Sequence, residues 1–438
     1  MAKIGLISIC HADYAGGIIE SLTAEAAGKI EEFGNEAVYA GEVALSDAQS
    51  YAQARAIISA DVDGAVVFLS GWVECRIVMT AIRELRNIPL SLLGVPMFTY
   101  EGRQESTGSY VSYAMFKGVL DRLGYRYAGI LSSLDSDEFR AEMTDFCLAS
   151  QTIKRLSRTS LGLVGSTSMS IYTGTFDHMF MREKVGCEID YLDSYTLIER
   201  SKLISAERLE QARREFTSKA DADSDIEEEI IERTLRIYCA ADDIIAEKGW
   251  AGINIKCQYE FSKEFKAVPC VPLSMLGDKT VASCEGDILN TVSMTILNYL
   301  SGQTAGYGDV ITHFDNTVKL SSCGFIPFST GAGNRVRNFM KHDGFNGIQC
   351  SFCPREGKVT VLRLIEDKCD YHILYFTGEI KKTALRQDYM PALDVEMDGR
   401  IEDLVKNYNG QHFAYCFGDH ASAIEAYALL AGFKTIRV

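Results

Sequence analysis

The sequence of 438 residues predicts an α/β protein in which two doubly wound, Rossmann-like (flavodoxin-like) domains precede a mainly antiparallel, β-barrel-like C-terminal domain. In the first part, short apolar runs alternate with segments of helical spacing, which is the pattern of a parallel sheet covered by helices. A similar alternation starts again at Leu161, and strand-like runs follow one another after Ala282, as in an antiparallel barrel or sandwich. We therefore expect domains at residues 1–157, 158–281 and 282–438.

Five apolar runs predict the strands of the first domain, and the segments between them predict its helices. The runs are Lys3–Ile9, Glu36–Val43, Gly64–Ser70, Leu90–Met97 and Tyr127–Ser133. Ser46 stands where the second helix begins and is expected to cap it. No glycine-rich phosphate-binding loop follows any of these runs, so nucleotide binding has little support.

The later parts begin after the polar stretch Lys154–Ser160. The acidic segment Lys219–Glu229 is interpreted as an exposed loop and an acidic first helical turn, with a metal-binding tract as the alternative. In the third part a helix is predicted at Ile288–Leu300. The strand-like runs that follow it are Val310–Leu320, Val359–Ile365 and His372–Ile380.

Composition and charge exclude several classes of partner. The net charge of −16 argues against nucleic acid and anionic membranes, because both attract basic surfaces. No apolar stretch is long enough for a membrane span or the core of a signal peptide. Thirteen scattered cysteines are typical of reduced thiols in a cytoplasmic protein. The sequence thus predicts a soluble cytoplasmic protein that binds a small molecule.

Acidic residues and a histidine from distant parts of the chain are candidate metal ligands. Glu260 follows the strand-like run Ile253–Cys257, and open α/β sheets place ligand sites at the carboxyl ends of strands. Glu285 and Asp287 open a predicted helix, so each could either cap that helix or bind a metal ion. His412 lies in a strand-like run. Carboxylates combined with imidazole suit a hard divalent cation.

Three further side-chain types could contact a metal ion or a substrate. A lone strand histidine such as His313 is more often a hydrogen-bonded core or edge residue than a ligand. Arg335 and Arg337 belong to the basic cluster Asn334–Lys341, which is either a solvated loop or a pocket for a sulfonated or phosphorylated sugar. Trp72 follows an apolar run, and its ring could pack in the core or cover the C–H face of a sugar.

The segment from Cys257 to Asn290 resembles the L-fucose isomerase and L-arabinose isomerase superfamily. The shared features are an acid after a short strand, Pro269 nine residues later, and a Glu-Gly-Asp turn that opens a helix. Gln411–Gly418 is similar to the His-strand-Gly element of that superfamily, and Gly357–Leu364 to a strand of its C-terminal domain.

The resemblance implies a metal-dependent aldose–ketose isomerase that works through a cis-enediol intermediate. In the family pattern Glu260 is an acidic ligand and the base, and the second acid is Glu285 or Asp287. His412 corresponds to the metal-binding histidine, and His313 to an additional ligand of the arabinose branch. The implied cofactor is Mn²⁺, with other divalent cations as alternatives.

The same resemblance implies a homo-oligomer, a trimer or a hexamer, with the active site near a subunit interface and Trp72 of a neighbouring copy covering the sugar. Ser322-Cys323-Gly324 departs from the His-Cys-Gly of many shorter members, which leaves the substrate subgroup open. An anionic sugar such as sulfoquinovose is the alternative substrate. The alternative of a different class is a non-catalytic cytoplasmic sugar-binding protein, and the acids together with His412 favour the enzyme.

Overall fold

The structure, a computed structural model, describes residues 1–331, 333–339, 345–368 and 370–438. They divide into two compact units, Met1–Arg155 with Ser422–Phe433 and Leu156–Ala421 with Lys434–Val438. The first unit contains a parallel sheet, and the second contains both a parallel and a mainly antiparallel sheet. The predicted mixture of sheet types is therefore confirmed.

Five parallel strands form the main sheet of the first unit, in the spatial order β2-β1-β3-β4-β7. The strands, with the hairpin β5–β6, are β1 Lys3–Ile9, β2 Glu36–Tyr39, β3 Gly64–Leu69, β4 Leu90–Gly94, β5 Phe98–Tyr100, β6 Arg103–Glu105 and β7 Ala128–Leu131. The helices are α1 Gly17–Glu32, α2 Asp47–Ser59, α3 Cys75–Glu84, α4 Ser109–Leu123 and α5 Asp137–Ser157.

Local sequence explains the burial of these strands and the ends of these helices. Every residue of β3 is buried because helices cover both faces of the sheet, whereas the edge strand β2 is half-exposed. The Ser46 side chain accepts a hydrogen bond from the backbone N–H of Gln49, which confirms the predicted cap of α2. Helix α4 ends at Gly124, which adopts a left-handed conformation.

The second unit begins with a parallel sheet in the order β12-β11-β8-β9. Its strands are β8 Ser160–Val164, β9 Glu188–Leu192, β11 Gly252–Ile255 and β12 Val281–Cys284. Its helices are α6 His178–Phe180, α7 Ser194–Lys202, α8 Ala206–Lys219, α9 Glu228–Lys248, α10 Cys270–Gly277 and α11 Ile288–Ser301. The predicted domain boundary after residue 281 falls inside β12.

Seven strands form the mainly antiparallel sheet, in the order β17-β20-β13-β14-β19-β18-β21. Because β17 also pairs with β18, six of them close into a ring. The strands are β13 Gly306–Phe314, β14 Thr317–Ser321, β17 Gly357–Asp367, β18 Asp370–Lys381, β19 Ala392–Met397, β20 His412–Phe417 and β21 Lys434–Arg437, with helices α12 Ile401–Asn407 and α13 Ala421–Ala431. A smaller sheet contains β10 Asp221–Ala222, β15 Arg335–Asn338 and β16 Ile348–Cys350.

Two predictions on individual segments have clear outcomes. The single run Val310–Leu320 is wrong as one strand, because Asp315 has a φ of 49° and the chain turns there into the hairpin of β13 and β14. The acidic segment Lys219–Glu229 contains the short strand β10 and a loop, and α9 follows with Glu228 and Glu229 in its first turn. Within the described ranges, no helix is long and apolar enough to cross a membrane.

Candidate active site

Two neighbouring parallel strands bring the acidic segments to one edge of the central sheet. Strands β11 and β12 pair in register, with Ile255 beside Cys284. The segment that contains Glu260 follows the first strand, and the segment that contains Glu285 and Asp287 follows the second. Parallel strands end at the same edge, so the fold places these acids where open α/β sheets bind ligands.

The turn between β12 and α11 has an unusual backbone. Glu285 and Gly286 both lie in the left-handed region, with φ of 69° and 70°. A Cβ atom at Gly286 would lie 2.4 Å from the carbonyl oxygen of Ser166, so only glycine fits there. Asn254 accepts a hydrogen bond of 2.7 Å from the Gly286 N–H, which holds the turn against β11. A left-handed Glu285 is held by its surroundings, as residues at functional sites often are.

Strand β20 presents His412 toward these acids. Phe413 and Tyr415 point into the apolar core of the ring, so by strand alternation His412 points to the opposite face. Asp309 lies directly across the β13–β20 pair from His412, and cross-strand partners share a face. The Tyr307 ring contacts the imidazole edge-on, with ring centroids 5.2 Å apart.

Three carboxylates surround the fully buried imidazole. Nδ1 lies 2.8 Å from Asp287 Oδ2, and Nε2 lies 3.3 Å from both Glu285 Oε2 and Asp309 Oδ1. Nε2 nevertheless has no hydrogen-bond partner of good geometry among the described residues. We refer to His412, Glu285, Asp287 and Asp309 as the His412 cluster.

Burial and charge act in opposite directions on the His412 cluster. Burial lowers the pKa of His412, but the hydrogen bond to Asp287 and the nearby carboxylates of Asp309 and Glu285 outweigh it and raise that pKa well above its usual value. Burial raises the pKa of Asp287, but the hydrogen bond from His412 and the charge of Arg363 outweigh it, so the pKa is lower than usual. The cluster therefore favours a positive charge at its centre.

Arg363 ties several segments to this cluster. Its side chain is fully buried, and Nη1 lies 3.3 Å from Asp287 Oδ2 and donates to the His412 carbonyl at 2.8 Å. It also donates to the carbonyl oxygens of Thr173 and Asn409. A buried guanidinium with this many acceptors fixes the position of Asp287.

Asp287 caps helix α11 and also contacts His412 and Arg363. Its Oδ1 accepts a hydrogen bond of 2.9 Å from the backbone N–H of Asn290, so it caps α11. Its Oδ2 faces His412 and Arg363. Both carboxylate oxygens of Asp287 therefore already have partners. This makes Asp287 better placed to orient the imidazole than to bind a metal ion.

Glu260 lies in the segment that follows β11, and this segment contacts the His412 cluster through Gln258. Its Oε1 accepts a hydrogen bond of 2.9 Å from Lys256, and its Oε2 is buried with no partner among the described residues. Gln258, two residues earlier, donates to Glu285 Oε1 at 3.2 Å. The preceding Tyr259 has a φ of 67°, so this segment also contains a left-handed residue that is not glycine.

The structure does not bring His313 to the His412 cluster within one chain. It lies four residues beyond Asp309 on β13, past a β-bulge and on the exposed end of the strand. There it lines a surface cavity of about 420 Å³ with Asp315 and residues of α12. Strand geometry separates it from Asp309 of the same chain by about 13 Å. Its role as a metal ligand stays a prediction.

The basic cluster and Trp72 are the remaining candidates for substrate binding. Arg335 is 58% exposed and makes a bidentate ion pair with Asp223, at 2.6 and 2.9 Å, so an anionic sugar would compete with Asp223 for its guanidinium. Its role in binding an anionic sugar stays a prediction. Arg337 follows on the same strand, with a half-buried side chain, and residues 340–341 of that cluster lie outside the described residues. Trp72 belongs to the first unit, where it packs against His11 and Tyr14.

Sequence reasoning missed Asp309, Tyr307 and Arg363. A polar residue in a strand carries no signal of its own when only one sequence is read. The available signal was strand pairing, since Asp309 stands on a strand next to His412 and Arg363 is a charged residue inside the apolar run of β17. A charge in a buried run indicates a partner of opposite sign.

The donor set of the cluster suits a divalent cation. Within the described parts of the chain, no three His, Cys, Asp or Glu side chains already form a metal-binding arrangement. However, the unpartnered His412 Nε2 faces two carboxylates at 3.3 Å, and its raised pKa marks a place where positive charge is stabilised. Small side-chain adjustments would direct one nitrogen and two carboxylates at one ion, a set that hard divalent cations accept.

Comparison with known proteins gives relatives of one kind. No family model matches the sequence. The sulfoquinovose isomerase of Alkalicoccus urumqiensis is 25% identical over 304 residues, which cover 65% of this chain and 67% of that protein. That of Priestia megaterium is 21% identical over 343 residues, covering 74% and 76%, and that of Clostridium sp. is 21% identical over 221 residues, covering 50% and 49%.

These relatives confirm the prediction of an isomerase enzyme and support a sugar isomerase family. They do not single out the L-fucose and L-arabinose isomerase superfamily. Among solved structures, a galactofuranose binding protein covers 60% of this chain and 78% of its own at 10% identity and a TM-score of 0.19. That likeness is too weak to carry an argument.

Proposed function

We propose that the chain is a divalent-metal-dependent aldose–ketose isomerase that acts on a free sugar through a cis-enediol intermediate. The observation that carries the proposal is the buried His412, whose unpartnered Nε2 lies 3.3 Å from the carboxylates of Glu285 and Asp309. A buried imidazole among acids at the carboxyl edge of a sheet has the composition of a catalytic metal site. The names of the relatives support the same reaction class.

Glu285, Asp309 and His412 would hold the cation, with Glu260 as a further ligand. When bound, the cation supplies a Lewis acid for the carbonyl and hydroxyl oxygens of the sugar, and Mn²⁺ is the first candidate. Asp287 accepts from Nδ1 of His412 and so leaves Nε2 facing Glu285 and Asp309. Arg363 balances the charge of Asp287, so this orientation does not depend on the cation.

The proton transfer between C1 and C2 is assigned to Glu260. Its Oε2 is buried and unpartnered, so it can accept a proton from one carbon and return it to the other. Lys256 donates a hydrogen bond of 2.9 Å to the other oxygen, Oε1, so Oε2 is the oxygen left to act as the base. Glu285 follows the neighbouring strand β12 and is the second acid of the pair.

Sulfoquinovose is the substrate that we would test first, because the relatives are named for it. We also propose that the chain works in the cytoplasm as a homo-oligomer, a trimer or a hexamer. Trp72 of a neighbouring copy would cover the sugar.

The test is ketose formation from sulfoquinovose, L-fucose, L-arabinose and D-arabinose after exhaustive chelation and after Mn²⁺ is added back. We expect turnover of at least one aldose, its loss on chelation and its recovery with Mn²⁺. The variant His412→Asn should remain inactive at every Mn²⁺ concentration, while Asn409→Ala, which removes an exposed side chain nearby, serves as the control. Full turnover with metal absence established by elemental analysis would overturn metal dependence, and saturable sugar binding with no ketose would indicate a binding protein.

A further inference from the structure

Arg386 lies in a tight turn immediately before β19. Its backbone N–H and carbonyl both pair with Met390, with N···O distances of 2.9 Å. Gln387 and Asp388, inside the turn, have φ of 52° and 65°. Two consecutive left-handed residues that are not glycine are costly, so the turn is held in shape by its surroundings.

Arg386 is half-buried, and its Nε lacks a hydrogen-bond acceptor among the described residues. In the ranges that the structure describes, its Nε is buried and has no hydrogen-bond partner. Its Nη2 contacts the Met390 sulfur, which is a weak acceptor. A buried cationic donor without an acceptor is unfavourable, and an anion that accepts from it would remove that cost.

Strand register connects this turn to the His412 cluster. His412 pairs with Asp309, Asp309 with Ser321, and Ser321 with Ala392 at the start of β19. Residues paired across antiparallel strands point to the same face. Two strand spacings, roughly 10 Å, separate Asp309 from Ala392, and the turn that contains Arg386 ends just before Ala392.

A second contact and the electrostatics connect the turn that contains Arg386 with the region of the cluster. The Ser321 hydroxyl donates to the carbonyl of Pro391 at 2.6 Å, so the end of the turn lies against β14. Burial raises the pKa of the Cys323 thiol, Glu285 and Asp309 raise it further, and Arg386 lowers it. Cys323 is therefore within electrostatic reach of both the acids of the cluster and Arg386.

We propose that Arg386 binds a tetrahedral oxyanion, a sulfonate or a phosphate ester, at the end of a sugar whose carbonyl end lies at the His412 cluster. This inference rests on the proposed function and names its substrate class. A guanidinium can donate two parallel hydrogen bonds to such a group. Arg335 already makes a bidentate pair with Asp223, so Arg386 is the better candidate for an external anion.

The test compares sulfoquinovose, glucose 6-phosphate and 6-deoxyglucose, which has no anionic group, as ligands of the Mn²⁺-supplemented full-length protein. Dissociation constants are measured by calorimetry, and ketose formation is measured in parallel. Arg386→Met should weaken binding of the preferred anionic sugar about 10- to 100-fold and leave 6-deoxyglucose unchanged. Lys382→Met removes an exposed positive charge four residues away and should change neither. The anionic sugar with the lower dissociation constant shows whether the site prefers a sulfonate or a phosphate.

Equal losses for the anionic and neutral sugars, no loss for either, or no binding of either anionic sugar by the wild-type chain would overturn the inference. Arg386→Lys keeps the positive charge but cannot donate two parallel hydrogen bonds. We expect it to show a smaller selective loss of affinity for the anionic sugar. That variant serves as the test if Arg386→Met fails to fold by thermal melting. Selective loss of binding with no ketose from any sugar would sustain the role of Arg386 while rejecting the proposed isomerase.

Discussion

At the scale of single residues, the proposed metal site depends on how the buried imidazole of His412 is oriented. Asp287 occupies Nδ1 of His412, so Nε2 faces Glu285 and Asp309. The same Asp287 is fixed by its hydrogen bond to the start of α11 and by Arg363. A second group that orients a ligand commonly matters nearly as much as the ligand itself.

Glu260→Gln is predicted to leave the fold intact and to slow isomerisation by about 10²- to 10⁴-fold, because an amide cannot take the proton. The measurement is ketose formation together with exchange of the C2 deuteron of the substrate into solvent. Glu264→Gln changes an exposed acid in the same turn and is the matched control. Turnover and exchange near wild-type values in Glu260→Gln, with unchanged thermal melting, would place the base elsewhere.

At the scale of elements, the site depends on the junction of β11, β12 and α11. The Asn254 side-chain amide donates to Ser283 and Thr291, each at 3.0 Å, and its oxygen accepts from the Gly286 N–H at 2.7 Å. One buried amide thus joins two strands, a helix and the strained turn that carries Glu285.

Asn254→Ala is predicted to lower the free energy of unfolding by about 2–4 kcal/mol, because it leaves several buried polar groups without partners. Urea unfolding of the variant and the wild type measures this difference. Asn407→Ala, on the surface helix α12, loses a hydrogen bond to the carbonyl of Asp403 and should cost under about 1 kcal/mol. Similar midpoints for Asn254→Ala and the wild type would contradict the role assigned to the junction.

The sequence predicted most elements but only part of the site. The apolar runs located β1, β3 and α11, because short apolar runs are typical of buried strands and longer ones of buried helices. It could not locate Asp309, because the meeting of β13 and β20 is a long-range pairing with no local signature. His313 was selected for its residue type, and only register and the β-bulge show that it faces away.

At the scale of the whole molecule, the second unit joins two kinds of sheet around one cluster. The parallel sheet supplies Glu285 and Asp287, and the closed antiparallel ring supplies Asp309, Arg363 and His412. The ring keeps its apolar residues inside, and His412 and Asp309 lie on the opposite face of their strands. The three carboxylates face one guanidinium and one imidazole, and a divalent cation would balance that charge with the imidazole neutral.

The most direct measurement of the central claim is anomalous X-ray scattering at the manganese absorption edge, from crystals of the wild-type chain grown with Mn²⁺. We expect one strong peak per chain, enclosed by His412 Nε2 and the carboxylates of Glu285 and Asp309, and no such peak in His412→Asn. A peak at a different set of side chains, or no peak in crystals whose dissolved protein forms ketose, would contradict it.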